Sequence, residues 1–177
     1  RPCFLCAQNR PPEQTAIAFG NFELLVNPFP IFDRHLTVPL NNHQPQVLAP
    51  SLPHLLELSK TLPSYVVFYN GPHSRASAPD HLHFQAIGKD SIPLFKWMEN
   101  FGTTLFQHAG LTVCRVNHAA VKGLYFESAN ALMLEKALRT CLALLPAAVN
   151  HPEPMVNVLA SYTSGVDKAA WVPRRKH

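Results

Sequence analysis

Two histidines and a glutamine alternate in the stretch "DHLHFQA", at His81, His83 and Gln85. Alternation is the period of a β-strand, in which every second side chain shares a face. We therefore predict a strand that buries the apolar residues between them and presents two imidazoles and an amide on its other face. A neutral imidazole is a good nucleophile toward phosphorus near pH 7. The alternative is a half-exposed strand that carries two histidines without any chemical role.

A second group of residues has the spacing of a metal site. Cys3 and Cys6 are separated by two residues, so that both thiolates can reach one tetrahedral zinc ion. No second C-x-x-C follows, so two histidines would have to complete the site. The candidates are His35, His43, His54, His73 and His81. Free thiols and a redox pair remain alternatives, although a redox C-x-x-C usually opens a helix and "AQNRPPEQ" does not look helical.

Composition limits the classes of protein to which the chain can belong. With 177 residues and 47% hydrophobic content, we expect one globular domain, or little more than one. No apolar run is long enough to cross a bilayer, so we expect no membrane span. The net charge of +4 suits a small phosphate-bearing ligand. No run of Lys and Arg is interleaved with aromatic residues before the tail "PRRKH", so we expect no nucleic-acid binding.

The cysteines favour a reducing compartment. Cys114 and Cys141 stand alone in apolar surroundings and are typical of small core residues. A secreted disulfide framework would be denser in cysteine, so we predict a cytoplasmic location. The chain begins at Arg1 without a Met or a signal-peptide pattern, and we expect it to be a fragment or a processed form.

The elements that must position these groups can be read along the chain. Strands are predicted over 15–19, 22–27, 35–40, 65–70, 81–87, 111–118, 124–128, 154–162 and 169–173, with a hairpin turn at Gly20–Asn21. One helix is predicted from an N-cap at Ser51 through residue 62, and a second from Ser128 to the residue before Pro146. The resulting fold class is α+β, an antiparallel sheet with two main helices. The second part repeats the order of elements only loosely.

Four motifs occur in the order in which one superfamily carries them. They are "CFLCAQN", "NPFPIFDRHLTVP" with "NNH" after it, "YNG", and "SAPDHLHFQ". Together they resemble the histidine-triad (HIT-like) superfamily, in the branch of galactose-1-phosphate uridylyltransferase, diadenosine tetraphosphate phosphorylase and GDP-L-galactose phosphorylase. The resemblance covers residues 1 to about 90 and includes uncharacterised bacterial members. It implies a HIT-like half over 1–90, followed over 91–177 by a second α+β half-repeat that packs on the same sheet and is incomplete.

The resemblance implies a role for each matching residue. The structural zinc would be held by Cys3, Cys6, His43 and His81. The catalytic residues would be His83, as the nucleophile, and Gln85, which holds the phosphoryl oxygens. Substrate-binding candidates are Asn27 and Phe29 for the nucleoside, and Asn70, Arg75 and Ser77 for phosphate. His35 is interpreted as a support of its strand. Members of the family usually read Ser-x-Pro-His-x-His, whereas Asp80 is inserted here before His81, which puts the Ser77 contact in question.

Function follows from the resemblance and from one chemical difference. HIT hydrolases carry a third histidine at the position of Gln85, and an amide cannot give a proton to a leaving group. We therefore expect a nucleotidylyltransferase or nucleotide phosphorylase that uses a nucleoside diphosphate-sugar or a dinucleoside polyphosphate, with phosphate or a sugar phosphate as acceptor. The alternatives are a nucleotide hydrolase and a non-catalytic zinc- and nucleotide-binding module. The resemblance allows a homodimer. Catalysis requires that the ring of His83 face a cavity that admits a phosphate.

Overall fold

The structure, a computed structural model, describes residues 2–74, 76–147 and 153–174. Along these residues the strands are β1 Ala16–Phe19, β2 Phe22–Val26, β3 His35–Pro39, β4 Tyr65–Asn70, β5 His83–Gly88, β6 Gly102–His108, β7 Leu111–Asn117, β8 Lys122–Ser128, β9 Val156–Thr163 and β10 Val166–Pro173. The α-helices are α1 Leu52–Thr61, α2 Leu94–Phe101 and α3 Ala131–Leu144. The predicted hairpin turn is present, with Gly20 at φ +55°.

All the strands belong to one antiparallel sheet whose two ends repeat each other. The order across the sheet is β1-β2-β3-β5-β4-β9-β10-β8-β7-β6. The first half, β1 to β5 with α1, therefore has the same internal order as the second half, β6 to β10 with α3. The halves meet at β4 and β9, where Phe68 pairs with Leu159. The α+β class is confirmed, and the strand order repeats in both halves where the sequence indicates only a loose similarity.

The two longer helices cover one face of the sheet and bury the main core. Leu52, Leu55 and Leu56 of α1 are buried on its apolar stripe. Ser51 occupies the N-cap position of α1, but its side chain makes no capping hydrogen bond. For α3 the predicted N-cap, Ser128, is wrong. Asn130 caps this helix instead, because its Oδ1 accepts hydrogen bonds from the backbone N–H groups two and three residues further on.

The opposite face of the sheet differs between the halves. One row of paired residues crosses both halves on this face: Leu25, Thr37, Gln85, Phe68, Leu159, Ala170, Tyr125 and Cys114. In the second half α2 packs on this face and buries Met98 against Cys114, Tyr125 and Ala170. In the first half no α-helix of the described residues packs there, and a cavity lies over the row.

Two elements were not predicted from the sequence. The strand β6 is exposed along nearly its whole length, so it lacks the alternation that reveals a half-buried strand. The helix α2 is only eight residues long, a length at which a short apolar segment is not distinguished from a strand. The predicted strand over 81–87 is partly wrong, since β5 begins at His83 and His81 lies in the preceding turn. Within the described residues no helix has the length and apolar character of a membrane span.

Candidate functional site

Four side chains from three separate segments converge at one end of the first half. Cys3 Sγ lies 3.2 Å from His81 Nδ1, and Cys6 Sγ lies 3.2 Å from His43 Nδ1. The four possible ligand atoms are all within 4.8 Å of one another. These are the residues that the family resemblance implies as zinc ligands, and the structure brings all four together despite the insertion of Asp80.

The first two of these ligands are held by the segment that precedes β1. The backbone N–H of Cys6 donates to the carbonyl of Cys3, which closes a tight turn around the intervening Phe4 and Leu5. Arg10 donates from Nε to the Leu5 carbonyl at 2.9 Å and forms an ion pair with Glu23 of β2. The turn is therefore fastened to the sheet by a side chain that is itself largely buried. We call residues 3–10 the knuckle.

The chemistry of the cluster fits a zinc ion. His81 Nε2 is 2.8 Å from the carbonyl of Leu40, which can only accept, so this nitrogen carries the proton and Nδ1 keeps its lone pair for a metal. Burial and the neighbouring Cys3 raise the pKa of the Cys6 thiol, so a pair of thiolates there needs a compensating cation. Two sulfurs and two imidazole nitrogens match the donor set of tetrahedral zinc sites. Asp80 lies 3.6 Å from His43 Nε2, on the side away from the thiolates.

The ring of His83 is held in a single tautomer. Its Nδ1 is 2.8 Å from the carbonyl of His81, so Nδ1–H donates and Nε2 carries the free lone pair. Burial lowers the pKa of His83, which favours the neutral, nucleophilic ring at physiological pH. Nε2 lies 3.4 Å from Ser77 Oγ. The ring has the protonation pattern that nucleophilic attack requires.

His83 does not itself line an open cavity, which departs from the requirement stated from the sequence. The residue is only 1% exposed, and the hydroxyl of Ser77 contacts its Nε2. Ser77 is exposed and borders a cavity, next to Gln85. The ring is thus directed at the rim of a cavity and is covered there by a hydroxyl group.

The amide of Gln85 is oriented by His35. The backbone N–H of Ile31 donates to His35 Nδ1 at 3.4 Å, so the ring carries its proton on Nε2. That nitrogen lies 2.7 Å from Gln85 Oε1 and donates to it. The NH₂ group of Gln85 is then the end of the amide directed away from His35, as a donor. His35 therefore has a larger role than support of its strand, and its only signal in the sequence is its place two strands before Gln85 along the chain.

A cavity of about 510 Å³ lies beside these groups. It is lined by Phe4, Leu5, Asn9, Pro11, Gln14, Leu25, Asn27, Pro28, Phe29, Ile31, His35, Thr37, Ser77 and Gln85. The walls are mostly apolar, with exposed Phe29 at the rim and Phe4 contributed by the knuckle. Asn27 Oδ1 accepts from the backbone N–H of Phe29 at 2.8 Å, which fixes the start of that loop. Both residues predicted for the nucleoside therefore border this cavity.

The residues predicted for phosphate are distributed differently. Ser77 borders the cavity, whereas Asn70 at the end of β4 is not among its lining residues and instead accepts a hydrogen bond from Asn157. Arg75 lies outside the described residues. Asn157 belongs to β9 of the second half and also donates to the carbonyl of Ser74, so the second half holds the loop that leads to Ser77. Sequence reasoning missed Asn157 and also Gln46, which contacts the backbone of His83.

Comparison with protein families finds one match. Residues 1–88 match the family described as "Domain of unknown function (DUF4922)". That range includes every residue predicted for the site. None of the curated proteins matches the chain.

Several solved structures are similar to the chain. A DUF4931 family protein from Bacillus cereus is 18% identical, with a TM-score of 0.57 over 91% of this chain and 85% of that one. A GalT-like protein from Arabidopsis thaliana is 13% identical, with a TM-score of 0.55 over 99% and 82%. Yeast Ap4A phosphorylase is 21% identical, with a TM-score of 0.51 over 90% of this chain and 58% of that one. Further structures of the yeast phosphorylase contain AMP or Ap4A.

At these identities the similarity shows the fold. The chain has the HIT-like fold, which confirms at the level of architecture the resemblance drawn from its four motifs. The chain spans 58% of the length of the yeast phosphorylase.

Proposed function

We propose that the chain is a nucleotidylyltransferase or nucleotide phosphorylase that works through a covalent nucleotidyl-His83 intermediate. The observation that carries this proposal is the neutral tautomer of His83, with its Nε2 lone pair directed at the rim of the cavity that Gln85 and Phe29 border. Solved structures with the same fold include a phosphorylase bound to AMP and to Ap4A, which supports a nucleotide as the substrate. A GalT-like protein with this fold supports a nucleoside diphosphate-sugar as the other substrate class.

The reaction proceeds as two displacements at one phosphorus atom. The Nε2 lone pair of His83 forms a P–N bond to the α-phosphorus, and the bond from that phosphorus to its bridging oxygen breaks. The electron pair leaves with the departing sugar phosphate or nucleotide, which is already an anion. Phosphate or a sugar phosphate then attacks the same phosphorus, and the P–N bond breaks to restore neutral His83. Neither displacement requires a protein acid to protonate the leaving group.

Gln85 favours transfer over hydrolysis. Its NH₂ group, directed away from His35, can donate to phosphoryl oxygens whose charge grows in the transition state. An amide cannot protonate a poor leaving group, so the site suits leaving groups that are stable as anions. A nucleotide hydrolase remains the alternative enzyme. A non-catalytic zinc- and nucleotide-binding module remains the alternative without enzymatic activity.

Zinc is proposed as a structural ion held by Cys3, Cys6, His43 and His81. When bound, it would fix the turn that precedes β5 and the knuckle together. His81 then links the ion to the catalytic ring, because its carbonyl accepts the Nδ1–H of His83. The knuckle also supplies Phe4 and Leu5 to the cavity wall, so the same ion would shape the proposed nucleoside pocket.

The side chain of Ser77 must move away from His83 Nε2 during the reaction. A nucleophile and the atom it attacks approach to about 3–3.5 Å before they react. Ser77 Oγ lies at 3.4 Å from Nε2, which is the distance that the α-phosphorus must reach. The exposed side chain of Ser77 can turn toward solvent, and its hydroxyl is then available to a phosphoryl oxygen.

The test is detection of the covalent intermediate. The protein is incubated with a dinucleoside polyphosphate or a nucleoside diphosphate-sugar labelled at the α-phosphorus, with and without inorganic phosphate. We expect a phosphoramidate on His83, found by mass spectrometry, that disappears when phosphate is added as the acceptor. His83→Ala should abolish the adduct, with a loss of about 10⁴-fold or more in turnover.

The matched control is His108→Ala, which removes an exposed histidine from β6 of the second half. It should leave the adduct unchanged. An equal rate of turnover in water and in phosphate would favour the hydrolase, and nucleotide binding without any adduct would favour the binding module. The two-part division near residue 90, the homodimer and the cytoplasmic location remain predictions.

A further inference from the structure

The two strands next to the catalytic histidine separate at its position. The pairing of β4 with β5 ends at Phe68 and Gln85. Continued by two residues, the same register would place Asn70 opposite His83, yet these residues are not paired. On the other side of β5 the Leu40 N–H bonds to the Leu82 carbonyl, so the N–H and C=O groups of His83 point into the gap toward β4.

The side chain of Gln46 fills this gap. Its Oε1 accepts the backbone N–H of His83 at 2.8 Å, and its Nε2 donates to the His83 carbonyl at 3.0 Å. The same Nε2 donates to the carbonyl of Asn70 at 3.0 Å. One amide thus replaces the missing strand contacts on both sides of the gap. Gln46 is 1% exposed, and these partners satisfy its acceptor and both of its donor hydrogens.

The loop that carries Gln46 is fixed from the second half. Glu153 Oε1 accepts the backbone N–H groups of Leu48 and Ala49, just after Gln46. The hydroxyl of Tyr69 lies 2.7 Å from Glu153 Oε2 and 2.9 Å from the carbonyl of Gln46. Glu153, Tyr69, Gln46 and Leu48 are buried, and Ala49 is partly buried. Gln46 therefore cannot easily turn out of the gap, which distinguishes it from a surface amide.

We propose that Gln46 is a positioning residue that locks the peptide of His83 and thereby the tautomer of its ring. The bond from Nδ1–H to the carbonyl two residues back exists only while the backbone from His81 to His83 keeps its shape. Gln46 holds that backbone at both polar groups of residue 83. With the peptide locked, Nε2 keeps its lone pair and its direction toward Ser77. The role in catalysis rests on the proposed function, whereas the role in fixing the ring does not.

Glutamine is the side chain that this gap requires. One planar group must accept one hydrogen and donate two, all within reach of two strands. A carboxylate of the same size would place an oxygen against two carbonyl oxygens. A methionine of similar volume would leave a buried N–H and two carbonyls without partners, which costs free energy and loosens the strand end.

The test compares Gln46→Met with Gln44→Met. Gln44 lies two residues away in the same loop with an exposed side chain, so the chemical change is matched and the buried amide is kept. ¹⁵N spectra of histidine-labelled protein report the tautomer, with the His83 signals assigned by their loss in His83→Ala. We expect wild type and Gln44→Met to show Nδ1 protonated and Nε2 unprotonated. In Gln46→Met the two nitrogen signals should move toward each other as the tautomers exchange.

Adduct formation provides the second measurement. Gln46→Met should slow the formation of nucleotidyl-His83 roughly 100-fold, with little change in the Kd for nucleotide. Gln46→Glu, which keeps the acceptor for the His83 N–H, provides a second variant should Gln46→Met fail to fold. Its His83 nitrogen signals and its rate of adduct formation should change in the same direction as those of Gln46→Met.

The outcomes separate this inference from the proposed function. Unchanged His83 signals in a folded Gln46 variant would overturn the positioning role, whether or not wild type forms an adduct. Altered signals in a protein that forms no adduct would support the locked ring and reject the transferase. Altered signals together with an unchanged adduct rate would limit Gln46 to structure and overturn its place in catalysis.

Discussion

The two halves of the sheet use the same backbone for opposite purposes. The row of paired residues is symmetric about Phe68 and Leu159, so that Gln85 of the first half corresponds to Ala170 of the second. Likewise Thr37 corresponds to Tyr125. Thr37 and Gln85 of the first half lie beneath a cavity, whereas Tyr125 and Ala170 of the second half are covered by α2.

The segment that leads into each half accounts for this difference. The first half is preceded by the knuckle, which is attached by its proposed metal ligands and by Arg10, and which stands at the side of the cavity. The second half is preceded by α2, whose Met98 is fully buried against the sheet. A helix with an apolar stripe covers such a face. A turn held by a metal and an ion pair can leave it open.

The two halves also differ in the polar side chains that they place on this face of the sheet. Polar groups such as His35 and Gln85 are costly to bury unless each is hydrogen-bonded, and here they bond to each other. The second half avoids that cost with alanine and methionine and has no corresponding amide in the row. The first half leaves a cavity over its part of the row, and the second half fills the corresponding space with α2.

The largest effect, on the rate of adduct formation, is expected when Gln85 of the first half is replaced by alanine, the residue at the corresponding position of the second half. Gln85→Ala should slow adduct formation about 100- to 1000-fold, because the donor to the phosphoryl oxygens is lost. The corresponding free energy is about 3–4 kcal/mol in the transition state. Rapid-quench measurement of the labelled adduct checks this result. Gln107→Ala on the exposed strand β6 is the matched control, and a loss below about tenfold for Gln85→Ala would remove the distinction between the halves.

The second effect concerns packing and should appear only in stability. Met98→Ala should lower the free energy of unfolding by about 3 kcal/mol, because it leaves a void between α2 and the sheet. Urea denaturation measures the change. The adduct rate of the folded protein should stay the same. Leu105→Ala on β6 is the control at a 55% exposed site, and an equal loss of stability there would contradict the packing role of α2.

Removal of the metal should affect the first half selectively. With zinc at about 100 times its Kd, the added free energy of unfolding is about 2.7 kcal/mol. A chelator should remove this increment and weaken nucleotide binding, because Phe4 belongs to the knuckle. Thermal unfolding with and without zinc makes the measurement. Cys6→Ser should abolish the zinc effect and Cys141→Ser should keep it; an effect that survives Cys6→Ser would place the metal elsewhere.

The smallest expected effect is on the pH dependence of stability. It comes from an ion pair between the two halves, on the face of the sheet that α1 and α3 cover. Asp167 of β10 is buried 3.1 Å from Lys60 of α1. Burial raises the pKa of this carboxyl group and Lys60 partly opposes the rise. The folded protein therefore takes up the proton at a higher pH than the unfolded chain does. As the pH falls from 7 through that raised pKa, wild type should gain stability relative to Asp167→Asn.

Denaturant unfolding of both proteins between pH 7 and 5 checks this sign. Asp90→Asn, at a side chain that is 98% exposed, is the matched control. A gain of wild-type stability with rising pH over the same interval would mean that the charge of Lys60 outweighs the burial of Asp167.

The motifs predicted much of the first half because their chemistry is local. The spacing of Cys3 and Cys6 indicated a metal turn, and the alternation around His83 indicated a strand. The four motifs led to the HIT-like fold, which the structure has. Ser128 as a cap and His81 as part of the strand were wrong, because Asn130 and a turn at residues 78–81 satisfied the backbone instead.

The second half was harder to predict from the sequence. Its strand β6 lacks the alternation of a half-buried strand and its helix α2 is only eight residues long, so the repeat is visible only in the order of strands across the sheet. That order depends on pairings between distant segments, which the residues of a single segment do not encode.

The sequence by itself determined which atoms were available: two thiols, a set of imidazoles and an amide, in motifs whose order resembles that of one superfamily. The tertiary structure decided which of them meet and in what state. His35 reaches Gln85 across 50 residues, and Gln46 reaches His83 across 37. The first contact orients the amide of Gln85, and the carbonyl of His81 sets the tautomer of His83. Hydrogen bonds are decided by distances of a few tenths of an ångström, and only the packed sheet sets such distances.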